Sequence, residues 1–351
     1  MNRVIRPGRA LIVQIDREKI HAARAVLGAD TRDIHPLQVL DTPEGAVDDG
    51  RLLNISALEK MLLPVVNDPD VRGIRRVLFL LCTSKMVRSD AVVPMLTGRK
   101  LERTVRDNLD VYFPANAEDY SVICEPGGVS ESRYGTRERE LLLWGVPLDL
   151  LRPYHMLARA LDLSVAGFEW PGRAFAGVIG ADFAAVRAAE AEASADQLYD
   201  LYCLAGSEHI LMTFVWKGIV QLQRLVAREN GDEYGEMLLV QEYYHSRFRP
   251  GSVCRQGWIT GSAHDLSRVA ERIGRELEIS TALMPAPWGH EWTACAGVVS
   301  ARLDLGGNTG QTSELFGSGR RRREISALAL GAAVLFGAVV FTAASHIRWA
   351  S

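Results

Sequence analysis

The chain has 351 residues, of which 48% are hydrophobic and 24% charged, with a formal net charge of −3 at pH 7. That apolar share supports a sizeable core and excludes a wholly disordered chain. The near-neutral balance lacks the basic footprint of a protein that wraps nucleic acid, so no nucleic-acid partner is expected. Cys82, Cys124, Cys203, Cys254 and Cys295 form no C-x-x-C pair, and each lies in or beside an apolar run, the pattern of buried reduced thiols rather than of a disulfide or zinc framework.

Residues 9–15 (RALIVQI) read as a strand and 21–27 (HAARAVL) as a second that pairs with it as a hairpin. The charged 16–19 segment (DREK) breaks the apolar run too early for a secretion signal. A turn-rich, polar 43–54 leads into a helix over 56–66. There Leu58, Met61, Leu62 and Val65 share a face, and Ser56 with Glu59 reads as a capping box. The unbroken apolar run 76–81 (RVLFLL) is that of a buried strand. An amphipathic helix follows over 100–109, then strands over 120–124 and 140–146. Next come a helix over 149–161 with Leu150, Tyr154, Leu157 and Leu161 at helical spacing, and an Ala/Glu-rich helix over 181–195. Strands over 198–204, 210–215 and 219–226 surround tight turns. A helix over 238–244, a strand over 255–260 and a helix over 262–277 with Leu266, Val269, Ile273 and Leu277 inward complete the pattern. Strands and helices alternate throughout, so the class is α/β.

The C-terminal region reads differently. Residues 306–324 form a linker, Gly-rich and then Arg-rich, and 325–345 (ISALALGAAVLFGAVVFTAAS) carry no charge. About 20 apolar residues span a bilayer's hydrocarbon core as a helix, so a transmembrane helix is expected over 325–345. A buried C-terminal helix of a soluble domain is the alternative, although such a helix normally keeps a polar face. Arg320, Arg321, Arg322 and Arg323 precede the segment and only Arg348 follows it, which places the bulk of the chain in the cytoplasm and 346–351 outside. Ala329, Ala333 and Gly337 recur every four residues, a stripe that lets a second helix approach for a homodimer or a partner contact. Plain alanine-rich composition accounts for it equally well.

Five stretches in order resemble PilM-type type IV pilus assembly proteins of the actin-like ATPase superfamily. They are 43–62 (an acidic-Gly stretch and helix), 76–96 (strand, turn, strand and a Leu/Pro step), and 101–122 (a helix ending in an aromatic-Phe-Pro step). The others are 141–170 (strand, helix, strand between the two halves) and 257–266 (GWITGSAHDL). The resemblance implies a duplicated, ribonuclease H-like, two-lobed cytoplasmic domain over 1–305, with lobe I about 1–196 and lobe II about 197–305. A membrane helix in the same chain is similar to the layout of the secretion protein GspL. Fusion of a PilM-like domain to the start of a PilN-like protein is an equal alternative. The implied role is a single-pass, inner-membrane scaffold of a type IV pilus or type II secretion assembly platform. Its partners would be PilN/PilO-like or GspM-like proteins, the motor ATPase and membrane lipid. The alternative is an actin-like ATPase whose nucleotide state gates assembly.

The same resemblance implies a nucleotide between the lobes, with two glycine-containing hairpin turns near the phosphates, because backbone without a Cβ can approach closely and present N–H groups. Asp16 matches the carboxylate after the first strand, but Arg17, Glu18 and Lys19 stand where a glycine should follow. Arg17 or Lys19 could meet a phosphate only through its side chain. In the second hairpin Gly206 and Ser207 remain, and the expected Asp falls at Cys203 or Ala205. The adenosine turn keeps Gly261 and Ser262. Asp16, Gly206, Ser207, Gly261 and Ser262 are thus the candidate nucleotide residues of a degenerate site. No catalytic residue, metal or cofactor is expected, ATP being the one candidate ligand, and hydrolysis is not expected. The sequence has no H-x-x-x-H pair and no G-x-S-x-G elbow.

Overall fold

The computed structural model describes residues 8–27, 34–113, 119–132, 134–175, 197–216, 218–228, 233–248 and 250–304. The expected helix over 181–195, the linker, the apolar segment 325–345, Arg320 to Arg323, and Ala329, Ala333 and Gly337 lie outside them. Among the described residues no helix is long and apolar enough to cross a membrane.

Two five-stranded sheets carry one topology twice. In the first, β1 (Gly8–Ile15), β2 (Lys19–Leu27) and β3 (Ile34–Asp41) form an antiparallel meander, and β6 (Arg76–Leu81) and β10 (Ser164–Glu169) continue it in parallel on the other side of β1. In the second, β11 (Leu198–Ala205), β12 (His209–Trp216) and β13 (Ile219–Ala227) form the meander, with β14 (Val253–Gly261) and β15 (Thr281–Leu283) parallel to β11. Both sheets read third–second–first–fourth–fifth from the meander side. The duplicated architecture expected from the sequence is therefore present.

Strand β1 is central and covered on both faces, which is why it reads as an unbroken apolar run. Leu11, Val13 and Ile15 face α1 (Ile55–Val66) and α4 (Leu148–Ala160), in a core with Leu58, Leu62, Val65, Tyr154 and Leu157. Ala10 and Ile12 belong to the opposite cluster with Ala294, Cys295 and Val298 of α7 (Thr293–Asp304). That helix follows the second sheet in sequence yet packs on β1, β2 and β3, so the chain crosses back to the first sheet. The second sheet is covered by α5 (Glu233–Arg247) and α6 (Leu266–Glu276), whose Met237, Tyr244 and Ile273 join its core.

A smaller layer is inserted between β6 and α4. It holds β7 (Val87–Pro94), α2 (Gly98–Asp107), α3 (Leu109–Tyr112), β8 (Tyr120–Glu131) and β9 (Arg137–Pro147), with an antiparallel strand order β7-β9-β8. Ala91, Val93, Val105, Phe113, Leu141 and Leu143 give it a core of its own. Gly145 seats the Phe113 ring, since a Cβ there would fall 2.1 Å from a ring carbon.

Several boundaries differ from the sequence reading. Helix α1 begins at Ile55, and its cap is Asn54, whose Oδ1 accepts the Ala57 N–H at 3.0 Å. Ser56 lies inside the first turn, so the expected capping box at Ser56 and Glu59 is replaced by an Asn cap that satisfies the free Ala57 amide instead. Helix α6 begins at Leu266 with Asp265 as cap, leaving 262–265 as loop. The turn-rich 43–54 stretch contains a small hairpin, β4 (Val47–Asp48) and β5 (Arg51–Leu52).

Candidate functional site in the cleft between the lobes

The β1–β2 and β11–β12 turns are equivalent in register. Ile15 pairs with Ile20 and Ala205 with Ile210. Asp16 N–H donates to the Lys19 carbonyl at 3.1 Å, and Gly206 N–H donates to the His209 carbonyl at 2.8 Å. The lobe II counterpart of Asp16 is therefore Gly206, not Cys203 or Ala205 as the sequence suggested. Counting from the strand alone could not place the hairpin's closing pair.

Asp16, Gly206, Gly261 and Ser262 line one cavity of about 110 Å³ between the two sheets, together with His21 and Glu291. Ser207 sits on the adjoining turn. Asp16 is committed to its own hairpin: its Oδ1 accepts the N–H groups of Glu18 at 2.9 Å and Lys19 at 2.7 Å, a local turn cap. Gly261 has φ +125°, and a Cβ there would fall 2.2 Å from the Ala205 carbonyl oxygen, so glycine is what lets the end of β14 lie against β11. Ala263 N–H donates to that carbonyl at 2.9 Å.

The second turn is gripped from both sides. The Glu18 carboxylate accepts the N–H of Ser207 at 3.0 Å, the N–H of Glu208 at 2.5 Å and the Ser207 hydroxyl. Arg228 donates its backbone N–H to the Glu208 carbonyl at 2.7 Å and its guanidinium to the Gly206 carbonyl. A Cβ on Gly206 would stand 3.1 Å from Glu18 Oε1, so the glycine opens the approach for this carboxylate. Arg17 and Lys19, the expected side-chain contacts for a phosphate, are engaged elsewhere. Arg17 Nε lies 3.4 Å from Glu208, both half exposed, and Lys19 Nζ lies 2.5 Å from Asp41. Exposed pairs of this kind contribute about 0–1 kcal/mol.

His21 and Asp49 are among the cavity residues that the sequence did not anticipate. His21 is 2% exposed, and its ring meets Trp292 edge-on at 5.4 Å. Neither of its ring nitrogens has a hydrogen-bond partner among the described residues. Burial holds its pKa below the ordinary imidazole value, against the upward pull of Asp16 and Glu291, while Lys19 lowers it further. Its place on the inward face of β2, one turn from Asp16, was the available signal. Asp49 sits in the β4–β5 turn and accepts from Ser84 N–H at 2.7 Å and Ser84 Oγ at 2.6 Å. Glu18, Glu208 and His209 also bring ligand atoms within 4.8 Å of one another, but a cation there would compete with the turn donors for Glu18. The cavity lining includes Asp16, Glu18, Asp48, Asp49 and Glu291 against Arg17 and two histidines, a field that opposes a bare polyphosphate.

No family model and no curated protein matches the chain. Among solved structures it is similar to a PilM-PilN type IV pilus biogenesis complex, with a TM-score of 0.60 at 14% identity, over 83% of this chain and 97% of that one. It also matches the cytoplasmic domain of EpsL, an inner-membrane component of the type II secretion system of Vibrio cholerae, with a TM-score of 0.46 at 13% identity, over 86% and 98% of the two chains. A Bacteroides thetaiotaomicron protein with an actin-like ATPase fold aligns with a TM-score of 0.44 at 9% identity, over 83% and 95%. With its twice-repeated sheet topology and the likeness to the pilus complex, the chain has the two-lobed actin-like α/β fold of PilM-type proteins.

Proposed function

We propose that the chain is a scaffold of a type IV pilus or type II secretion inner-membrane platform, held by a single helix over 325–345, with its actin-like part in the cytoplasm. It links the motor ATPase to PilN/PilO-like or GspM-like membrane components. The observation that carries this reading is the likeness over 97% of a chain from a complex of PilM with PilN. Binding rather than hydrolysis fits the cleft. Phosphoryl transfer depends on positioning and charge neutralisation, and here the turn amides are engaged by Glu18.

The test uses the full-length chain. A reporter after Ser351 is expected outside the cytoplasm and one at Met1 inside it. A chain that stays in solution without detergent would count against the anchor. Calorimetry with ATP and magnesium should show weak binding or none, and phosphate release should equal that of Asp16→Ala. The second reading, an ATPase that gates assembly, is favoured by the meeting of Asp16, Gly206, Gly261 and Ser262 at one cavity. Micromolar binding with release abolished by Asp16→Ala would establish it instead.

A further inference from the structure

The β11–β12 turn is built as an anion site. The consecutive N–H groups of Ser207 and Glu208 and the Ser207 hydroxyl point at one place. Successive amides in a turn form a concave nest whose partial positive charge suits a carboxylate or phosphate oxygen. The anion in it comes from the chain itself: Glu18, 189 residues before Ser207, at the corresponding turn of the other lobe.

The surroundings hold both halves in place. On one side the Glu18 N–H is bound by Asp16 Oδ1, and the Glu18 carbonyl accepts the Thr42 N–H at 3.0 Å, so the residue projects from a pinned backbone. On the other side Arg228 takes the carbonyls of Gly206 and Glu208, which leaves the amides of 207 and 208 facing the first lobe. Gly206 leaves the space that the carboxylate fills. None of these contacts requires a bound molecule.

We propose that Glu18 is the resident anion of this turn: a tethered carboxylate that takes the place of a phosphate group and fastens the two lobes together without nucleotide. A ligand on the same chain acts at a high effective concentration, so a free phosphate must displace it before it can bind. The acidic lining described above makes that displacement harder. The proposal stands apart from the scaffold reading, because a different partner or machine leaves the clamp unchanged.

Residue-resolved amide hydrogen exchange on the full-length chain tests it, with tripolyphosphate as the anion probe. In the wild type, Ser207 and Glu208 should exchange slowly, with no change on adding millimolar tripolyphosphate. In Glu18→Ala both amides should exchange at least about tenfold faster, the factor that a charge-assisted hydrogen bond of ordinary strength represents. Tripolyphosphate should then restore their protection. Glu18→Asp, one methylene short, should behave like Glu18→Ala. Glu208→Ala removes the ion pair with Arg17 but keeps both amides, so it should retain the wild-type protection at Ser207. Should Glu18→Ala fail to fold, Glu18→Gln keeps the shape and one acceptor oxygen, and should exchange faster than wild type. Equal exchange in wild type and Glu18→Gln or Glu18→Ala would overturn the clamp. So would wild-type protection that rises with tripolyphosphate. Failure of tripolyphosphate to protect Glu18→Ala would overturn the phosphate equivalence.

Discussion

Gly172→Ala should wedge the first lobe away from the second. The chain leaves β10 through a helical turn over 171–175, in which the Trp170 carbonyl accepts the N–H groups of Arg173 at 3.2 Å and Ala174 at 3.1 Å. A Cβ on Gly172 would lie 2.6 Å from Thr213 Cγ2, 2.7 Å from Gln223 Oε1 and 2.8 Å from Thr213 Oγ1. Carbon atoms in contact prefer about 3.5–4.0 Å, so something must shift by roughly 1 Å. Thr213 and Gln223 are buried, and Gln223 Nε2 donates across the cleft to the Thr83 carbonyl at 3.4 Å, so neither neighbour is free to move. Overpacking of this kind costs about 1–3 kcal/mol. The better helix propensity of alanine offsets less than about 1 kcal/mol in so short a turn. A net loss of about 1–2 kcal/mol is expected, a fall in melting temperature of roughly 1.5–3 °C for a chain of this size. Thr213→Ala removes two of the three close contacts. In that background the penalty should shrink by about 1 kcal/mol, a coupling visible in a double-mutant cycle over four melting curves. An unchanged melting temperature in Gly172→Ala, or the same penalty with and without Thr213→Ala, would refute the packing argument.

Gly261→Ala combines a φ of +125° with a clash against the Ala205 backbone, and should cost several times more than Gly45→Ala, where φ is +65° and the space is open. The latter should cost about 1–2 kcal/mol, and comparable denaturant midpoints for the two would discount the close strand approach. Tyr154→Phe removes the 2.9 Å donation from Tyr154 Oη to the Gly50 carbonyl but keeps the ring against Phe79 and Phe168. It should cost about 1–2 kcal/mol, against about 3–5 kcal/mol for Tyr154→Ala, as read by chemical denaturation. His21 has a lowered pKa because burial disfavours its charged form, so the unfolded chain takes up a proton there first as pH falls. Its contribution is full above the ordinary imidazole value and is lost as pH falls below about 6.5. His155 and His245, also lowered by burial, act in the same direction. Stability should therefore drop between pH 7.5 and 5.5, and His21→Phe should flatten part of that slope. An identical slope in the variant would remove His21 from the account.

The sequence carried most of the fold because the central strands and the helix faces are written in local apolar pattern. The runs at 9–15, 76–81 and 198–204 became β1, β6 and β11, and Leu58, Leu62 and Val65 did form the buried face of α1. What it hid was written in other terms. Strand β3 contains Pro36 and only one fully buried position, so as a sheet edge it shows no apolar run. Strand β15 has three residues, and α7 is so uniformly Ala, Val and Cys near its start that no polar face marks it as a helix. At the cleft, the bulk and charge of 17–19 signalled that the turn could not approach a phosphate as glycine does. The partner of each side chain was invisible, because Glu18 finds Ser207 and Arg17 finds Glu208 only once the two hairpins face each other, and Lys19 meets Asp41 across the β2–β3 pair, whose edge strand the pattern did not show.

The inserted layer joins lobe I at a single seam. Val87, where β7 begins, lies directly opposite Gly145 near the end of β9, so the way in and the way out are neighbours on one ladder. Along β9 the allegiance changes between adjacent residues: Leu143 belongs to the layer's own core and Trp144 to the core beneath. A segment attached this way can lengthen, shrink or be exchanged without rethreading the sheet that carries it, in the manner of a domain accepted into a surface loop. Lobe I thus behaves as a chassis with one socket. Changes of length can be concentrated in the cassette between 87 and 145, provided that Arg88, whose guanidinium donates to the Gln221 carbonyl of β13, is kept.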